Sequence, residues 1–287
     1  MPYVFRRLGW PLRRALLPVA ALIAMVLSGC ATPPKDPAAL AAYKEANDPL
    51  EPMNRYFFDV NNALDDTLGK AIAGWYYVAL PNFAQDGIRN VVNNLHSPVV
   101  LANDLLQGET DRAGVTLGRF LINSTLGVAG LFDTAARMGL AYHDEDFGQT
   151  LATYGVGEGP YLMLPLLGPS NPRDLAGRVV DMLFDPMTYL TYGTNLAYVS
   201  TISTADTVAD AVDDRARNLK VLDEIRKGSL DYYATIRSLY RQHRAFEINN
   251  GKPAANPGPD DLSLLPPTGV AERLAEPSPL ITSAALH

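Results

Sequence analysis

The chain's only cysteine, Cys30, closes the motif LSGC at 27–30, and its thiol is a nucleophile that could accept a diacylglyceryl group. The small residues before it would fit the chain into a signal peptidase. Arginines and then an uncharged run at 15–27 precede the motif, and this run is shorter than the ~20 residues of a membrane-spanning helix. The pattern predicts a lipoprotein signal peptide over residues 1–29; a plain secretory signal with an accidental cysteine is the alternative. With a single cysteine, the chain has neither a disulfide framework nor a multi-cysteine metal site.

The remaining reactive side chains form no catalytic motif. The sequence lacks the nucleophile elbow G-x-S-x-G, the zinc motif H-E-x-x-H and the Walker motif. The run HDED at 143–146 could ligate a cation, but no other histidine is near it in sequence, so we expect a solvated loop. The glycines of GVGEG at 155–159 have no strand and helix around them and predict a loop. We therefore expect a protein that is not an enzyme and that holds no metal or cofactor.

Arg119 lies beside Phe120 in an apolar stretch, where an unpaired charge would be costly. Two partners could neutralise it, the carboxylate of Asp133 or the phosphate of a lipid. The first would make Arg119 part of a structural ion pair, and the sequence favours this interpretation. The second would make it a lipid-binding residue.

Apolar residues recur at helical spacing in several segments, and period-two alternation is absent. The sequence therefore predicts an all-α fold with Gly/Pro-rich loops. Proline, glycine and capping residues set the expected helix ends. One predicted helix ends at Pro98, and the next runs over Val99–Gln107, capped by Ser97-Pro98 and closed by Gly108. A third is capped by Thr110 and runs to about Ile122. Two more are predicted through Val208–Ile225 and through Tyr233–Tyr240, the last stopped by Asn249-Asn250-Gly251.

The composition and the positions of the prolines indicate how the chain is divided into segments. It has 287 residues and a formal charge of −7 without a basic tract, which argues against a nucleic-acid partner. Residues 30–47 predict a lipidated tether, 48–251 a single folded domain, and the proline-rich 252–287 a disordered tail.

Charged side chains are nearly absent from two stretches of the predicted domain. Residues 147–172 contain only Glu158, and 186–205 contain none. The apolar run GPYLMLPLLG at 159–168 would reach ~15 Å as a helix, half of the ~30 Å hydrocarbon core, and the second stretch is too polar to span. Two explanations stay open: these segments pack the core of a soluble protein, or they are immersed in half of a bilayer.

Short motifs in collinear order over 48–251 resemble those of the MlaA/VacJ family of outer-membrane phospholipid-transport lipoproteins. The resemblance covers nearly the whole predicted domain. It is carried by DPLEPMNR at 48–55, Asn61, LD at 64–65, NNL at 93–95, Pro98, Asn103, LQG at 106–108, RF at 119–120, NST at 123–125, Gly127, Gly130, Asp133, DFGQTL at 146–151, YGVG at 154–157, GPY at 159–161, LP at 164–165, LGPS at 167–170, RD at 173–174, Tyr233, Arg237, Tyr240, Arg244 and Gly251.

The resemblance implies an all-helical ring in the inner leaflet of the outer membrane, facing the periplasm, with an amphipathic channel through it. Phospholipids misplaced in the outer leaflet would enter this channel and pass to a soluble, MlaC-like periplasmic carrier. Family members can sit beside trimeric porins. Ala31 follows the cysteine in place of the aspartate that retains lipoproteins at the inner membrane, which agrees with an outer-membrane location.

A channel for phospholipid must accept both a headgroup and acyl chains. Amide side chains can hydrogen-bond a headgroup without the desolvation cost of ions, while leucine and methionine offer apolar contact. A porin-bracing lipoprotein without transport activity is the alternative function, and a lipid hydrolase would need a catalytic serine or histidine that the sequence does not suggest. The candidate channel residues are Asn61, Asn62, Arg119, Asn123, Gln149, Tyr161, Leu162, Met163, Leu164 and Leu167.

Overall fold

The computed structural model describes residues 32–186, 188 and 197–252, with the backbone alone over 197–206. The predicted signal peptide with Cys30, part of the charge-free stretch 186–205 and nearly all of the predicted tail lie outside the described residues. The predicted boundaries of tether, domain and tail stay predictions. In chain order the elements are α1 (Pro37–Ala46), α2 (Glu51–Leu64), a π-helical turn (Asp65–Gly69), α3 (Lys70–Ala79), α4 (Asn82–Gln107), α5 (Thr110–Thr125), α6 (Thr134–Arg137), α7 (Phe147–Thr153), β1 (Leu162–Leu164), β2 (Gly168–Ser170), α8 (Pro172–Phe184), α9 (Ala197–Arg217), α10 (Leu219–Gly228) and α11 (Tyr232–Ile248).

The all-α prediction is confirmed, and one small hairpin is added to it. The chain divides into two compact units, the first made of residues up to 62 together with 158–172. In this unit, α1 is capped by Asp36, whose carboxylate accepts the Ala39 N–H at 2.8 Å. Strands β1 and β2 pair antiparallel, with Met163 opposite Pro169.

The second unit contains residues 63–157 and those from 173 onward. In it, α4 packs against α5, and α9 packs against α3 and α4. Small and branched side chains fill the contacts, since Ala73, Val99, Val100, Ala113 and Ala135 are all buried. Small side chains let the helices approach closely, so polar groups near these contacts become buried and must find partners.

The prediction that a helix ends at Pro98 is wrong, because α4 continues through this proline. Ser97 does not cap a new helix; its Oγ donates to the Asn93 carbonyl at 3.0 Å. A proline inside a helix costs ~3 kcal/mol. Burial of Val99 and Val100, worth ~1.5–3 kcal/mol each, offsets that cost and keeps the helix continuous.

Two other helix ends differ from their prediction. The expected helix through 208–225 is interrupted at Asn218, between α9 and α10. The Asn218 side chain donates to the Asp214 carbonyl at 2.9 Å and so takes part in ending α9. Thr110 is the first residue of α5 and not its cap, which is Glu109. The end of the last helix before 249–251 is confirmed.

None of the helices in the described ranges is both long enough and apolar enough to cross a membrane.

Candidate functional site

In the first unit, Asn54 joins α2 to the hairpin and is fully buried. Its Nδ2 donates to Asp48 Oδ1 at 2.7 Å and to the Tyr161 carbonyl at 3.0 Å. Its Oδ1 accepts the Met163 N–H at 2.9 Å. A buried amide with all these bonds made fixes the hairpin base on α2, because breaking any of them would leave a buried polar group without a partner.

Asn61, two helical turns further along α2, holds the hairpin's turn. Its Nδ2 donates to the Leu164 carbonyl at 2.9 Å, and its Oδ1 accepts the Leu166 N–H at 2.8 Å. The amide is therefore engaged with the hairpin backbone. This positioning role was not predicted, and the channel-lining role of Asn61 stays a prediction.

The hairpin candidates differ in what they could contact. Tyr161 and Met163 are buried, whereas Leu162 and Leu164 are half-buried. Leu167 is 60% exposed, and its neighbour Leu166, which the sequence analysis did not select, is 81% exposed. The two exposed leucines at the turn are the side chains of the hairpin that are most available to an apolar ligand.

In the second unit, Arg119 pairs with Asp133, as the sequence favoured. Its Nη2 lies 2.7 Å from Asp133 Oδ2, and the guanidinium lies over the Tyr142 ring, 5.5 Å from its centroid. Asn123 Nδ2 donates to the other Asp133 oxygen at 3.0 Å. Burial raises the pKa of Asp133, but the bonds from Arg119 and Asn123 outweigh it and hold this pKa below its ordinary value. The carboxylate is thus kept ionised beside its cation.

A cavity of about 10 Å³, room for a single water molecule, adjoins this ion pair. A phospholipid headgroup is much larger than this space. Arg119 and Asn123 therefore act here as structural groups, and their role as channel residues stays a prediction. The cavity is lined by Asn90, Asn93, Asn94, Ser97, Arg119, Asn123, Asp133 and Tyr142.

The expectation of a loop at 143–146 is confirmed, because these residues lie in no helix or strand and Asp144 is exposed, but the expectation that the loop is solvated is wrong for Glu145. Glu145 is buried, accepts from Gln107 Nε2 at 2.7 Å and pairs with Arg112. His143 Nε2 lies 3.0 Å from a carboxylate oxygen of Asp104, which is also buried. Burial raises the pKa of Glu145 above its ordinary value. The acidic run looked water-exposed because its partners come from α4 and α5, far away in sequence. Among the described residues, no cluster of histidine, cysteine and acidic side chains could hold a metal ion.

The start of α7 is held by Arg244 of α11. Arg244 Nη1 lies 2.6 Å from Asp146 Oδ2, and its Nε lies 2.9 Å from Asp174 Oδ2. Burial raises the pKa of Asp146, but Arg244 outweighs it and lowers this pKa overall. Asp146 also caps α7 by accepting the Gln149 N–H at 2.9 Å. Gln149 is buried in this arrangement, and its channel-lining role stays a prediction.

Helices α7 and α8 touch through glycines. A Cβ added at Gly177 would lie 2.3 Å from the backbone nitrogen of Gly148. No side chain fits at this distance, so the contact depends on glycine at position 177.

A further candidate surface, which the sequence analysis missed, is the exposed apolar face of α3 and the turn before it. Trp75 is 76% exposed and Val78 is 81% exposed, and Leu68 and Ile72 are exposed beside them. The spacing i, i+4, i+7 and i+10 would have revealed this face. On the opposite side, Tyr76 donates to Asp213 Oδ1 at 2.9 Å, so the apolar face is the outer one.

Comparison with known proteins identifies the family of this chain. The family model described as MlaA lipoprotein matches residues 46–247. The intermembrane phospholipid transport system lipoprotein MlaA of Haemophilus influenzae is 35% identical over 247 residues, covering 81% of this chain and 90% of that protein. Its Escherichia coli counterpart is 32% identical over 247 residues, covering 84% and 92%. A solved structure reported as "Structural basis for maintenance of bacterial outer membrane lipid asymmetry" shares 35% identity and a TM-score of 0.63, covering 70% of this chain and 99% of that one. The chain therefore belongs to the MlaA lipoprotein family.

Proposed function

We propose that this protein is a lipid-anchored component of the outer membrane, facing the periplasm, that maintains lipid asymmetry. It removes mislocalised phospholipids from the outer leaflet through an amphipathic channel and passes them to a periplasmic carrier. The relatives named as phospholipid transport lipoproteins match most of the chain, which supports this role.

The observation that carries the proposal is the exposed apolar face of α3. Leaving the large apolar side chains of Trp75 and Val78 in water is unfavourable, because burying apolar area is worth ~25 cal/mol per Å². Contiguous exposed apolar side chains mark an interaction site. An apolar helix face is suited to lie within one leaflet, and an acylated Cys30 would hold it there.

Transport in this scheme is passive. The sequence contains no Walker motif, so its direction comes from handover to downstream partners. The half-buried side chains Asn62, Leu162 and Leu164, with the exposed Leu167, are the candidates that are available to line the passage. Trimeric porins are its neighbours in the membrane in this scheme, as the family resemblance implies.

The proposal is tested by measuring phospholipid exposed at the cell surface in a deletion strain. Deletion should raise surface phospholipid, and the native gene should restore the low value. Cys30→Ala should restore it poorly, because the chain would lose its anchor. Unchanged surface phospholipid after deletion would refute transport.

A porin-bracing function without transport makes a different prediction. Leu162→Trp would add bulk to the proposed passage and should raise surface phospholipid while the protein remains in the membrane. Leu105→Trp, at an exposed leucine of α4, is the matched control and should behave as the native protein. Equal behaviour of both variants at equal protein levels would favour bracing over transport.

A further inference from the structure

The turn of the hairpin, Pro165–Leu167, presents two leucines outward. Leu166 is 81% exposed and Leu167 is 60% exposed. No charged residue occurs between Glu158 and Arg173, so the segment around the turn is apolar throughout. Exposed leucines at a turn gain nothing from water, and turns usually carry polar residues or glycine.

The turn is also strained. Leu166 has φ of 65°, and the Leu167 N–H donates to the Pro165 carbonyl at 2.8 Å. This bond across one residue, with a positive φ in the middle, is the rare and strained form of the γ-turn. Glycine or asparagine would adopt it at lower cost. Leucine at this position is therefore unfavourable for folding on two grounds, strain and exposure, which points to a role outside folding.

The backbone of the turn has its N–H donors occupied. Pro165 has no N–H, Leu166 donates to Asn61 Oδ1 at 2.8 Å, and Leu167 donates to Pro165. Asn61 also donates to the Leu164 carbonyl at 2.9 Å. In hydrocarbon there is no water to satisfy a free backbone group, so irregular backbone is tolerated there only when its polar groups have partners. The side chain of Asn61 supplies partners for two of these backbone groups, the Leu164 carbonyl and the Leu166 N–H, and so lowers the cost of placing the turn in hydrocarbon.

We infer that the hairpin turn inserts Leu166 and Leu167 among the acyl chains of the phospholipid monolayer, with Asn61 as the positioning residue. The inference rests on the proposed function for the location at a membrane. Because both leucines are largely exposed, no surrounding side chains enclose them in a pocket for a single lipid. Their exposure therefore favours the bulk monolayer over a carried lipid as their partner. A three-residue strand spans ~10 Å, which keeps the turn within one leaflet of the ~30 Å core.

The experiment places a bimane fluorophore at the turn through Leu166→Cys in the lipidated protein. The only native cysteine is Cys30, the predicted acylation site, so the new thiol is the one that reacts. Lys44→Cys, at an exposed position of α1 in the same unit, is the matched control. The labelled proteins are reconstituted into vesicles of phosphatidylethanolamine and phosphatidylglycerol whose acyl chains carry bromine, a contact quencher. Leu167→Cys serves as a second site.

Insertion predicts severalfold stronger quenching at 166 than at 44. Equal quenching at the two positions overturns the inference. In a second arm, the protein is held in amphipol with one equivalent of brominated phosphatidylglycerol and no bilayer. Full quenching at 166 in that arm would mean that a carried lipid contacts the turn, and would also overturn insertion. If the native gene restores lipid asymmetry in cells while the turn stays unquenched, the insertion inference fails and the proposed function stands.

Discussion

Replacing Leu166 by asparagine should make the folded chain more stable, although it removes a large apolar side chain. A non-glycine residue at positive φ costs ~1–2 kcal/mol, and asparagine relieves most of this cost. Full burial of a leucine is worth ~1.5–3 kcal/mol. Because Leu166 is 81% exposed, only about one fifth of that, ~0.3–0.6 kcal/mol, is lost. The net gain is about 1 kcal/mol, or about 3 °C in Tm for a domain of this size.

The assay is urea unfolding, followed by circular dichroism, of a Cys30→Ser chain that is exported without an acyl anchor. The matched control is Leu105→Asn, at a leucine of α4 that is 58% exposed and lies in a regular helix. That substitution relieves no strain and should destabilise by ~1–2 kcal/mol, through ~0.5 kcal/mol of helix propensity and the lost burial of about two fifths of the leucine side chain. A loss of stability in Leu166→Asn as large as in the control would refute the argument that the turn is strained.

Three further predictions concern polar groups and the helix that continues through a proline. Asn61→Ala should destabilise the chain by ~1–2 kcal/mol in urea unfolding, because its two hydrogen bonds to the Leu164 carbonyl and the Leu166 N–H are lost, and unchanged stability would contradict the bonds described. Asp133→Asn should cost about 3 kcal/mol at pH 7, since Arg119 would be left without its carboxylate. The pKa of Asp133 is lower in the folded chain than the ~3.9 of an unfolded chain, so the ionised carboxylate stabilises the fold fully above pH ~3.9. This stabilisation is lost as the pH falls through the folded-state pKa. The penalty of Asp133→Asn should therefore shrink in unfolding measurements below pH ~4, and a pH-independent penalty would exclude this mechanism. Pro98→Ala should raise Tm by a few degrees, because an N–H would again donate to the carbonyl one turn earlier; a lower Tm would mean that the proline ring packs favourably.

Local patterns predicted the helical class and the Arg119–Asp133 pair. Helical periodicity is visible in the spacing of residues that are close in sequence, and a charged side chain in an apolar stretch requires a partner. Pro98 was misread because the burial of the two valines after it depends on tertiary packing, which local propensity does not contain. The burial of Glu145 was missed for a similar reason, since its partners come from other helices.

The hairpin was the hardest part of the site to predict. Its strands have three residues each, too short for alternation to be visible. Asn54 and Asn61 belong to the motifs that carry the family resemblance, but their bonds to the hairpin span more than one hundred residues of sequence. The exposure of Leu166 could not be read from a run in which every residue is uncharged.

The contact between Gly148 and Gly177 has a consequence for recognising more distant proteins with this helix crossing. Because even a methyl group at position 177 would collide with main-chain atoms, a saturation library selected for folding should return glycine alone at this site. A candidate relative that carries a larger residue there must have moved the two helices apart. Position 177 thus reports, from sequence alone, whether the crossing of α7 and α8 has been kept.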